Sequence, residues 1–214
     1  MVFLTKDLWF PDVTEAEEDG LLAVGGDLST KRLILAYQSG IFPWFIEEGL
    51  PFWFCPPERF VLFPEAIKIS RSMKQLIRQE KFSVTKNQSF KEVIQNCAAI
   101  HQFKTGSTWI SEEFIRSYLE LHKRGKAKSI EVWENGKLVG GLYGVEVGNV
   151  FCGESMFSIQ ANASKLALIH LCRTGRYTLI DCQMPTAHLE SMGATIISRD
   201  TFLNELKRNL TPDN

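Results

Sequence analysis

The chain has 214 residues, enough for one large domain or two small ones, and its 44% hydrophobic and 23% charged residues are typical of a globular protein, which argues against intrinsic disorder. A formal net charge of −1 at pH 7 excludes a global positive field, so nucleic-acid binding would need a local basic patch. The five cysteines are widely spaced and form no C-x-x-C, which favours buried free thiols in a reducing compartment over a disulfide framework or a zinc site.

Neither a secretory leader nor a membrane span is predicted. The N-terminal sequence lacks a long apolar segment after a basic start, and no apolar run reaches the length of a bilayer-spanning helix. We therefore expect a cytoplasmic protein. No stripe typical of a subunit interface is evident, so we also expect a monomer.

Residues 1–57 are predicted to form a small N-terminal domain of α/β character. A short strand ends at a pair of glycines, and Ser29 is a suitable N-cap for the helix that follows. Two aromatic clusters interrupted by prolines come next, at 41–45 and 51–57. They are typical either of a wall on which a ligand stacks or of a small aromatic core, and the pattern alone does not choose between them.

The prolines at 56–57 mark the predicted start of a second domain over 58–214. Its predicted elements are a strand at 59–63, helices opening at Ser70, Ser89 and Ser111, strands at 129–133, 138–147 and 150–158, a helix at 163–173, a strand at 177–183, a short helix at 187–192, a strand at 194–198 and a helix at 202–210. Ser89 with Glu92 matches a capping box, and Asn135-Gly136 matches a hairpin turn. This order predicts an α+β fold with a mixed sheet. It suits an acetyltransferase-like (GNAT) domain, in which a split between two central strands creates the binding crevice.

The strand at 150–158 carries two residues that packing does not require. Gly153 removes a side chain where another group needs to approach the backbone, and Glu154 puts a charge where a core strand normally has an apolar residue. Strict alternation places Glu154 on one face with Cys152 and Met156, and Gly153 on the other. We therefore expect this strand to form the floor of a site.

Asp181 and Gln183 stand on one face of a strand at its C-terminal end, where open sheets usually place their sites. A carboxylate pair of Asp181 and Glu154 is one alternative for acid–base chemistry, but nothing in the spacing fixes their separation. A cysteine nucleophile, Cys152 or Cys182, is another alternative, and no local signature supports it.

Two further patterns concern phosphates. The segment 159–165 has no glycine, whereas an acyl-CoA site needs a glycine-rich turn whose N–H groups hold the pyrophosphate, so we expect the crevice without a CoA site. Arg71, Lys74 and Arg78 recur at helical spacing on one face, and a second basic group lies at 123–128. Such groups are typical either of a phosphate-binding surface or of ordinary solvated surface.

Nine short segments spread over most of the chain carry a resemblance to a known family. They are GGDLS at 25–29, GIFPWF at 40–45, SRSMK at 70–74, TWI at 108–110, SIEVW at 129–133, GGLYGV at 140–145, FCGESMFS at 151–158, NASK at 162–165 and LIDCQ at 179–183. Together and in this order they resemble the leucyl/phenylalanyl-tRNA–protein transferases. Two features depart from better-known members: Leu142 replaces a methionine, and the segment 172–178 is shorter.

The resemblance implies an aminoacyltransferase that moves leucine or phenylalanine, and less readily methionine, from aminoacyl-tRNA to the N-terminal arginine or lysine of acceptor proteins. That transfer marks the acceptor for degradation through the N-degron pathway. The resemblance also implies a GNAT-like catalytic domain at 58–214 and no cofactor.

The resemblance further implies the site residues. Asp181 and Gln183 match the family's proposed catalytic pair, and Trp44 and Trp109 match tryptophans near the 3′-terminal adenosine and the aminoacyl group. The other predicted substrate-binding residues line an amino-acid pocket: Leu142, Gly153, Glu154, Met156, Leu171 and Ile180. With aminoacyl-tRNA as substrate, the predicted tRNA-binding residues are those of the basic face, Arg71, Lys74 and Arg78.

An aminoacyl ester is already activated, so the reaction requires alignment, charge stabilisation and removal of a proton, but no covalent nucleophile or metal. We expect Asp181 to orient Gln183 by a hydrogen bond, and Gln183 to hold the attacking amine or help deprotonate it, with a proton relay as an alternative. Asp181→Ala is expected to abolish transfer and leave the fold intact. A CoA-dependent N-acyltransferase and a non-catalytic tRNA-binding module are the alternative functions.

Overall fold

The computed structural model describes residues 2–106 and 108–210, so residues 211–214 of the predicted second domain lie outside it. The strands are β1 Val2–Leu4, β2 Leu21–Gly25, β3 Phe42–Glu47, β4 Leu50–Phe54, β5 Glu58–Leu62, β6 Ser83–Lys86, β7 Ala127–Glu134, β8 Lys137–Val147, β9 Val150–Ser158, β10 Leu179–Gln183 and β11 Thr195–Ser198. The helices are α1 Thr30–Gln38, α2 Arg71–Arg78, α3 Phe90–Thr105, α4 Glu112–Lys123, α5 Ala163–Arg173, α6 Ala187–Ser191 and α7 Arg199–Asn209. Within the described ranges, none of these helices has the length and apolar character needed to cross a membrane.

The first part of the chain forms a four-stranded sheet in the order β1-β2-β4-β3. Pro43 is tolerated in β3 because this strand lies at the edge of the sheet. Trp53 is fully buried and donates its indole N–H to the carbonyl of Gly25 at 2.9 Å. Trp44 packs edge-on against Phe54, with ring centroids 4.9 Å apart, and stays half-buried. The aromatic clusters therefore do form a small core, and Trp44 lies partly exposed at its edge.

The second sheet has seven strands in the order β11-β5-β10-β9-β8-β7-β6. Its neighbouring strands are antiparallel except for β9 and β10, which pair in parallel, and helices pack on the sheet. This arrangement confirms the predicted α+β fold with a mixed sheet. The parallel pairing ends at Cys152 and Asp181, beyond which β9 stays with β8 and β10 stays with β5. The two strands separate there, which is the split that the acetyltransferase-like interpretation requires.

Helices cover the two faces of this sheet. α1, α3, α4 and α7 contribute buried residues to the core on one face, and α2 and α5 contribute to the core on the other. The division at 56–57 stays a prediction. The small sheet ends before these prolines and the large sheet begins after them, yet Trp53 and Phe114 from the two sides share one buried core.

The predicted capping box at the start of α3 is wrong. The Ser89 side chain makes no capping hydrogen bond. Its backbone N–H lies 3.5 Å from the buried carboxylate of Glu131, which also accepts hydrogen bonds from Ser129 and Thr85. A tertiary partner therefore takes the place of the local one that the sequence pattern offers.

Candidate active site

A pocket of about 410 Å³ opens where β9 and β10 separate. The ten residues that the sequence predicts as catalytic or substrate-binding all line it: Trp44, Trp109, Leu142, Gly153, Glu154, Met156, Leu171, Ile180, Asp181 and Gln183. They come from the small sheet, from the segment after α3, and from β8, β9, α5 and β10. The fold thus brings them into one site, while the role of each residue stays a prediction.

A β-bulge positions Glu154 in this pocket. Tyr143 and Gly144 are consecutive in β8, but they pair with Ser155 and Gly153 of β9, which leaves Glu154 as an extra residue. Bulges of this kind redirect a side chain away from the regular ladder. The charge that looked out of place in a core strand therefore lies at an interruption of that strand.

The alternation predicted along β9 is consequently wrong. Cys152 belongs to the core on the α3 and α4 side, whereas Met156 packs against the core on the α5 side. An uninterrupted strand would place both side chains on one face. Because a bulge depends on the partner strand as well, the pattern of β9 alone does not report it.

The Glu154 carboxylate is buried and has three hydrogen-bond donors around it. The Tyr37 hydroxyl of α1 donates to Oε1 at 2.7 Å, the Tyr118 hydroxyl of α4 to Oε2 at 3.0 Å, and the Gln183 amide to Oε1 at 2.7 Å. Burial raises the pKa of Glu154 from 4.5 to about 7, against the opposing effect of these hydrogen bonds, which favour the ionised form. A carboxyl group that titrates near neutral pH is suited to take up and return protons.

Asp181 lies in a buried ion pair with Arg59 of β5. Nε of Arg59 is 2.8 Å from Oδ1 and Nη2 is 2.7 Å from Oδ2, and neither side chain is more than 1% exposed. The guanidinium carbon lies 4.7 Å from the ring centroid of Phe42 and 4.4 Å from that of Phe202. Removing the Asp181 carboxylate would leave a charged Arg59 unpaired in the core. This environment replaces our expectation that Asp181→Ala leaves the fold intact.

Gln183 is held at two points. Its backbone N–H donates to Asp181 Oδ1 at 2.9 Å, and its side-chain amide donates to Glu154. The end of β10 is bent at Gln183, which has a φ of 61°. The register with β5 also shifts there, because Asp181 and Gln183 pair with the consecutive residues Val61 and Phe60. Asp181 therefore orients the backbone of Gln183, while Glu154 orients the amide. A carboxylate accepts only from the amide nitrogen, so the amide oxygen points away from it.

The remaining wall of the pocket is apolar. The predicted side chains in it are Leu142, Met156, Leu171 and Ile180. Gly153 adds no side chain to this wall, and a Cβ atom there would lie 3.3 Å from the carbonyl oxygen of Asp181, a tight contact, and 4.0 Å from the ring of Phe151. Trp109 adds a half-buried aromatic face and packs edge-on against Phe114, with ring centroids 5.5 Å apart.

Cys152 and Cys182 are not prepared as nucleophiles. Burial, with a further contribution from the charge of Asp181, raises the pKa of both thiols well above the ordinary value, so the reactive thiolate is not formed near neutral pH. Among residues 2–106 and 108–210, no group of three or more His, Cys, Asp and Glu side chains is arranged to hold a metal ion.

Arg71, Lys74 and Arg78 lie outside the pocket lining. All three are exposed on α2, whose buried contact is Met73. Their exposure fits both a phosphate-binding surface and a solvated one, so their contact with tRNA stays a prediction.

The sequence reasoning missed Tyr37, Tyr118 and Arg59, which are the partners of Glu154 and Asp181. Arg59 left a signal, because a charged residue directly precedes four apolar residues in a predicted strand. The tyrosines left none. Each occupies an apolar position of its helix, and the local pattern does not distinguish a ring that only packs from one whose hydroxyl binds a distant carboxylate.

The family models and the curated relatives that match this chain name the same family. Residues 61–207 match the family described as leucyl/phenylalanyl-tRNA protein transferase, and residues 26–57 match the N-terminal domain of that family. The leucyl/phenylalanyl-tRNA–protein transferase of Flavobacterium psychrophilum is 53% identical, covering 97% of this chain and 100% of its own. That of Flavobacterium johnsoniae is 52% identical, covering 97% and 99%. Among solved structures, FemX shares the fold with a TM-score of 0.50 at 10% identity, over 79% of this chain and 66% of its own.

Proposed function

Because the chain belongs to the leucyl/phenylalanyl-tRNA–protein transferase family of aminoacyltransferases, we propose that it transfers leucine or phenylalanine, and less readily methionine, from aminoacyl-tRNA to the N-terminal arginine or lysine of acceptor proteins. The observation that carries the proposal is the pocket between β9 and β10, where an apolar wall lies beside Glu154 and Gln183. The product is a substrate for N-degron degradation in the cytoplasm.

The apolar wall explains which aminoacyl side chains the pocket accepts. Leucine, phenylalanine and methionine are apolar and unbranched at Cβ, and the absence of a side chain at Gly153 in the pocket wall suits a side chain that widens only beyond Cβ. An apolar pocket separates such side chains by only about 1–3 kcal/mol per methylene, so mixed specificity is expected.

Glu154 explains the preference for an acceptor with a basic N-terminal residue. Arg59 already neutralises Asp181, with 2.7 Å between Nη2 and Oδ2. Among the described residues, Glu154 is therefore the carboxylate of the pocket that has no cationic partner. Such a group favours a cationic N-terminal residue and its α-amine. The Gln183 amide oxygen, directed away from Glu154, is an acceptor for an N–H of that amine.

The reaction is aminolysis of an ester. The amine nitrogen bonds to the ester carbonyl carbon, the bond from that carbon to the ribose oxygen breaks, and one amine proton ends on the ribose oxygen of the released tRNA. Near pH 7 an appreciable fraction of the acceptor amine is neutral, because its ordinary pKa is about 7.7–8.0. Alignment of amine and ester is the main task, and the balanced reaction requires no cofactor.

The tRNA partner is held by two surfaces. Trp44 and Trp109, half-buried in the pocket lining, offer aromatic faces for the terminal adenosine, since bases stack on such rings in a sequence-tolerant way. Arg71, Lys74 and Arg78 of α2 meet backbone phosphates. Recognition by stacking and phosphates is independent of the anticodon.

The proposal is tested by mixing the protein with Leu-tRNA and a peptide that starts with arginine, then reading the peptide N-terminus by mass spectrometry. We expect one added leucine residue, and none on a matched peptide that starts with glutamate. Acetyl-CoA replaces Leu-tRNA in a parallel sample. An acetylated peptide would establish the CoA-dependent alternative, and tRNA binding without transfer would establish a binding module.

A further inference from the structure

We propose that Glu154 is a catalytic residue that receives the proton of the attacking amine, and that Tyr37 and Tyr118 are positioning residues that prepare its carboxylate for this proton. The inference deepens the proposed function and rests on it.

Three oxygen–oxygen contacts close a ring. The Tyr37 hydroxyl lies 2.7 Å from Glu154 Oε1, the Tyr118 hydroxyl lies 3.0 Å from Oε2, and the two hydroxyls contact each other. Each hydroxyl has one hydrogen to donate. Burial and the charge of Glu154 raise the pKa of both tyrosines well above the ordinary value, so both keep that hydrogen.

The ring therefore has room for one more proton. With Glu154 ionised, two hydrogens serve three contacts, and one contact is a close approach of two oxygens without a hydrogen between them. A proton on Oε2 restores the balance: Glu154 then donates to Tyr118, Tyr118 to Tyr37, and Tyr37 to Oε1. The Gln183 amide donates to Oε1 in either state.

The ring is built to exchange this proton with the pocket and not with bulk solvent. Tyr37, Tyr118 and Glu154 are all buried, while Glu154 lines the pocket beside Gln183. The titratable and charged groups that contact Glu154 or its partners are Tyr37 of α1, Tyr118 of α4, Tyr143 of β8, Cys152 of β9, Asp181 of β10 with its partner Arg59 of β5, and Cys97 of α3 beside Tyr143. His101 of α3, His188 of α6 and Cys182 of β10 line the same pocket. None of the tyrosines or cysteines competes for a proton near neutral pH, because burial raises the pKa of each.

The step conserves its protons. As the amine nitrogen bonds to the ester carbon it becomes positively charged, and one of its protons moves to the Glu154 carboxylate. When the carbon–oxygen bond to the ribose breaks, Glu154 returns the proton to the leaving oxygen. Gln183 holds the amine during the step, which removes the difficulty that glutamine itself is a poor base.

Single-turnover transfer of leucine from saturating Leu-tRNA to an Arg-peptide, measured from pH 5.5 to 9, tests the proposal. Glu154→Gln is isosteric and unable to take a proton, and we expect its rate to fall about 100-fold, the lower end of what acid–base groups contribute. Tyr37→Phe and Tyr118→Phe each open the ring and remove a hydrogen bond to the carboxylate, so the midpoint of their pH profiles should move away from that of the wild type. The substrate amine titrates identically in every variant and does not produce this shift.

Tyr177→Phe is the matched control. Its hydroxyl donates to the Glu146 carboxylate at 2.8 Å, outside the pocket, so this variant loses a tyrosine–carboxylate hydrogen bond of similar length without touching the ring. Its pH midpoint should equal that of the wild type. Infrared difference spectra of wild type against Glu154→Gln supply a readout besides activity: a protonated carboxyl band should disappear with a midpoint near pH 7, and this midpoint should be displaced in Tyr37→Phe.

An unchanged rate in Glu154→Gln, or a carboxyl band that does not titrate between pH 5 and 9, would overturn the proton-acceptor role while wild-type transfer keeps the proposed function intact. Absence of transfer by the wild type would instead overturn the proposed function, and this inference with it. Equal midpoints in Tyr37→Phe, Tyr118→Phe and Tyr177→Phe would show that the two tyrosines only pack.

Discussion

Arg59 and Asp181 are 122 residues apart in the chain and meet in a two-point ion pair beneath the pocket. The pair joins β5 to β10, and Asp181 Oδ1 also accepts the backbone N–H of Gln183 at 2.9 Å. Arg59 further donates to the carbonyl of Gly40 at 3.1 Å, just before β3. One buried pair thus fixes the end of β10 and connects the site to the small sheet.

Breaking this pair should destabilise the protein. Asp181→Ala leaves an uncompensated arginine in the core, which costs about 3–5 kcal/mol of the free energy of unfolding. Asp200→Asn, at an exposed position of α7, is the control and should change it by less than about 1 kcal/mol. Urea unfolding measures both. Equal stability of the two variants would mean that Arg59 finds solvent or another partner.

Glu154 should make stability fall as pH rises. Its pKa is raised on folding from 4.5 to about 7, so between these values the folded protein holds a proton that the unfolded chain has released. At about 1.4 kcal/mol per unit, the loss amounts to about 3 kcal/mol by the time the pH has passed 7. The Glu154→Gln variant has no carboxyl group to titrate at this position. The free energy of unfolding of the variant minus that of the wild type should therefore increase by about 3 kcal/mol from pH 4 to pH 8. Parallel pH curves of the two proteins would contradict the raised pKa.

Gly153 should be replaceable without loss of the fold but not without loss of activity. A methyl group there would lie 3.3 Å from Asp181 O, a tight contact that a shift of a few tenths of an ångström relieves, and 4.0 Å from Phe151, and it would take up volume in the pocket that Gly153 lines. Gly153→Ala should fold and raise KM for Phe-tRNA more than for Leu-tRNA, because the larger side chain needs more of that volume. Gly144→Ala is the contrast: its Cβ would lie 2.2 Å from Cys152 O, and the variant should be strongly destabilised. Steady-state kinetics and thermal unfolding check the pair.

The basic face of α2 should act on binding and not on chemistry. Reversing Arg71 and Lys74 to glutamate would remove two of the proposed phosphate contacts, so KM for aminoacyl-tRNA should rise at least tenfold, kcat should change little, and the slope of log KM against log salt should decrease. The double reversal of Lys207 and Arg208, exposed on α7, controls for net charge. If both double variants behave alike, the face of α2 is ordinary solvated surface.

The sequence pattern predicts most of the local structure. The bounds of β9 and α5 agree with the prediction, and the hairpin at Asn135-Gly136 joins β7 and β8. Each of these is set by short-range features: turn residues, alternation and helical periodicity. The strand β6 has only four residues and no buried side chain, so its pairing with β7 is visible only in the fold.

The chemistry of the site depends on relationships that no local pattern contains. Glu154 is placed by a bulge that involves β8, held by two tyrosines from separate helices, and bonded to an amide on β10. The resemblance to a family predicts which residues line the pocket, but the hydrogen bonds among them follow from packing at long sequence separation. The expected hydrogen bond from Gln183 to Asp181 is present through the backbone N–H, but the side-chain amide is bonded to Glu154, which the sequence does not predict.

The most direct test of the central claim, that aminoacyl transfer takes place at the Gln183 amide, is the single-turnover rate of leucine transfer by Gln183→Asn. Asparagine keeps an amide and tolerates the positive φ, but it is one methylene too short to span the same contacts. The account predicts a rate at least about 100-fold lower, as expected for a misplaced catalytic group, with affinity for Leu-tRNA and thermal stability near those of the wild type. A wild-type transfer rate in this variant would contradict it.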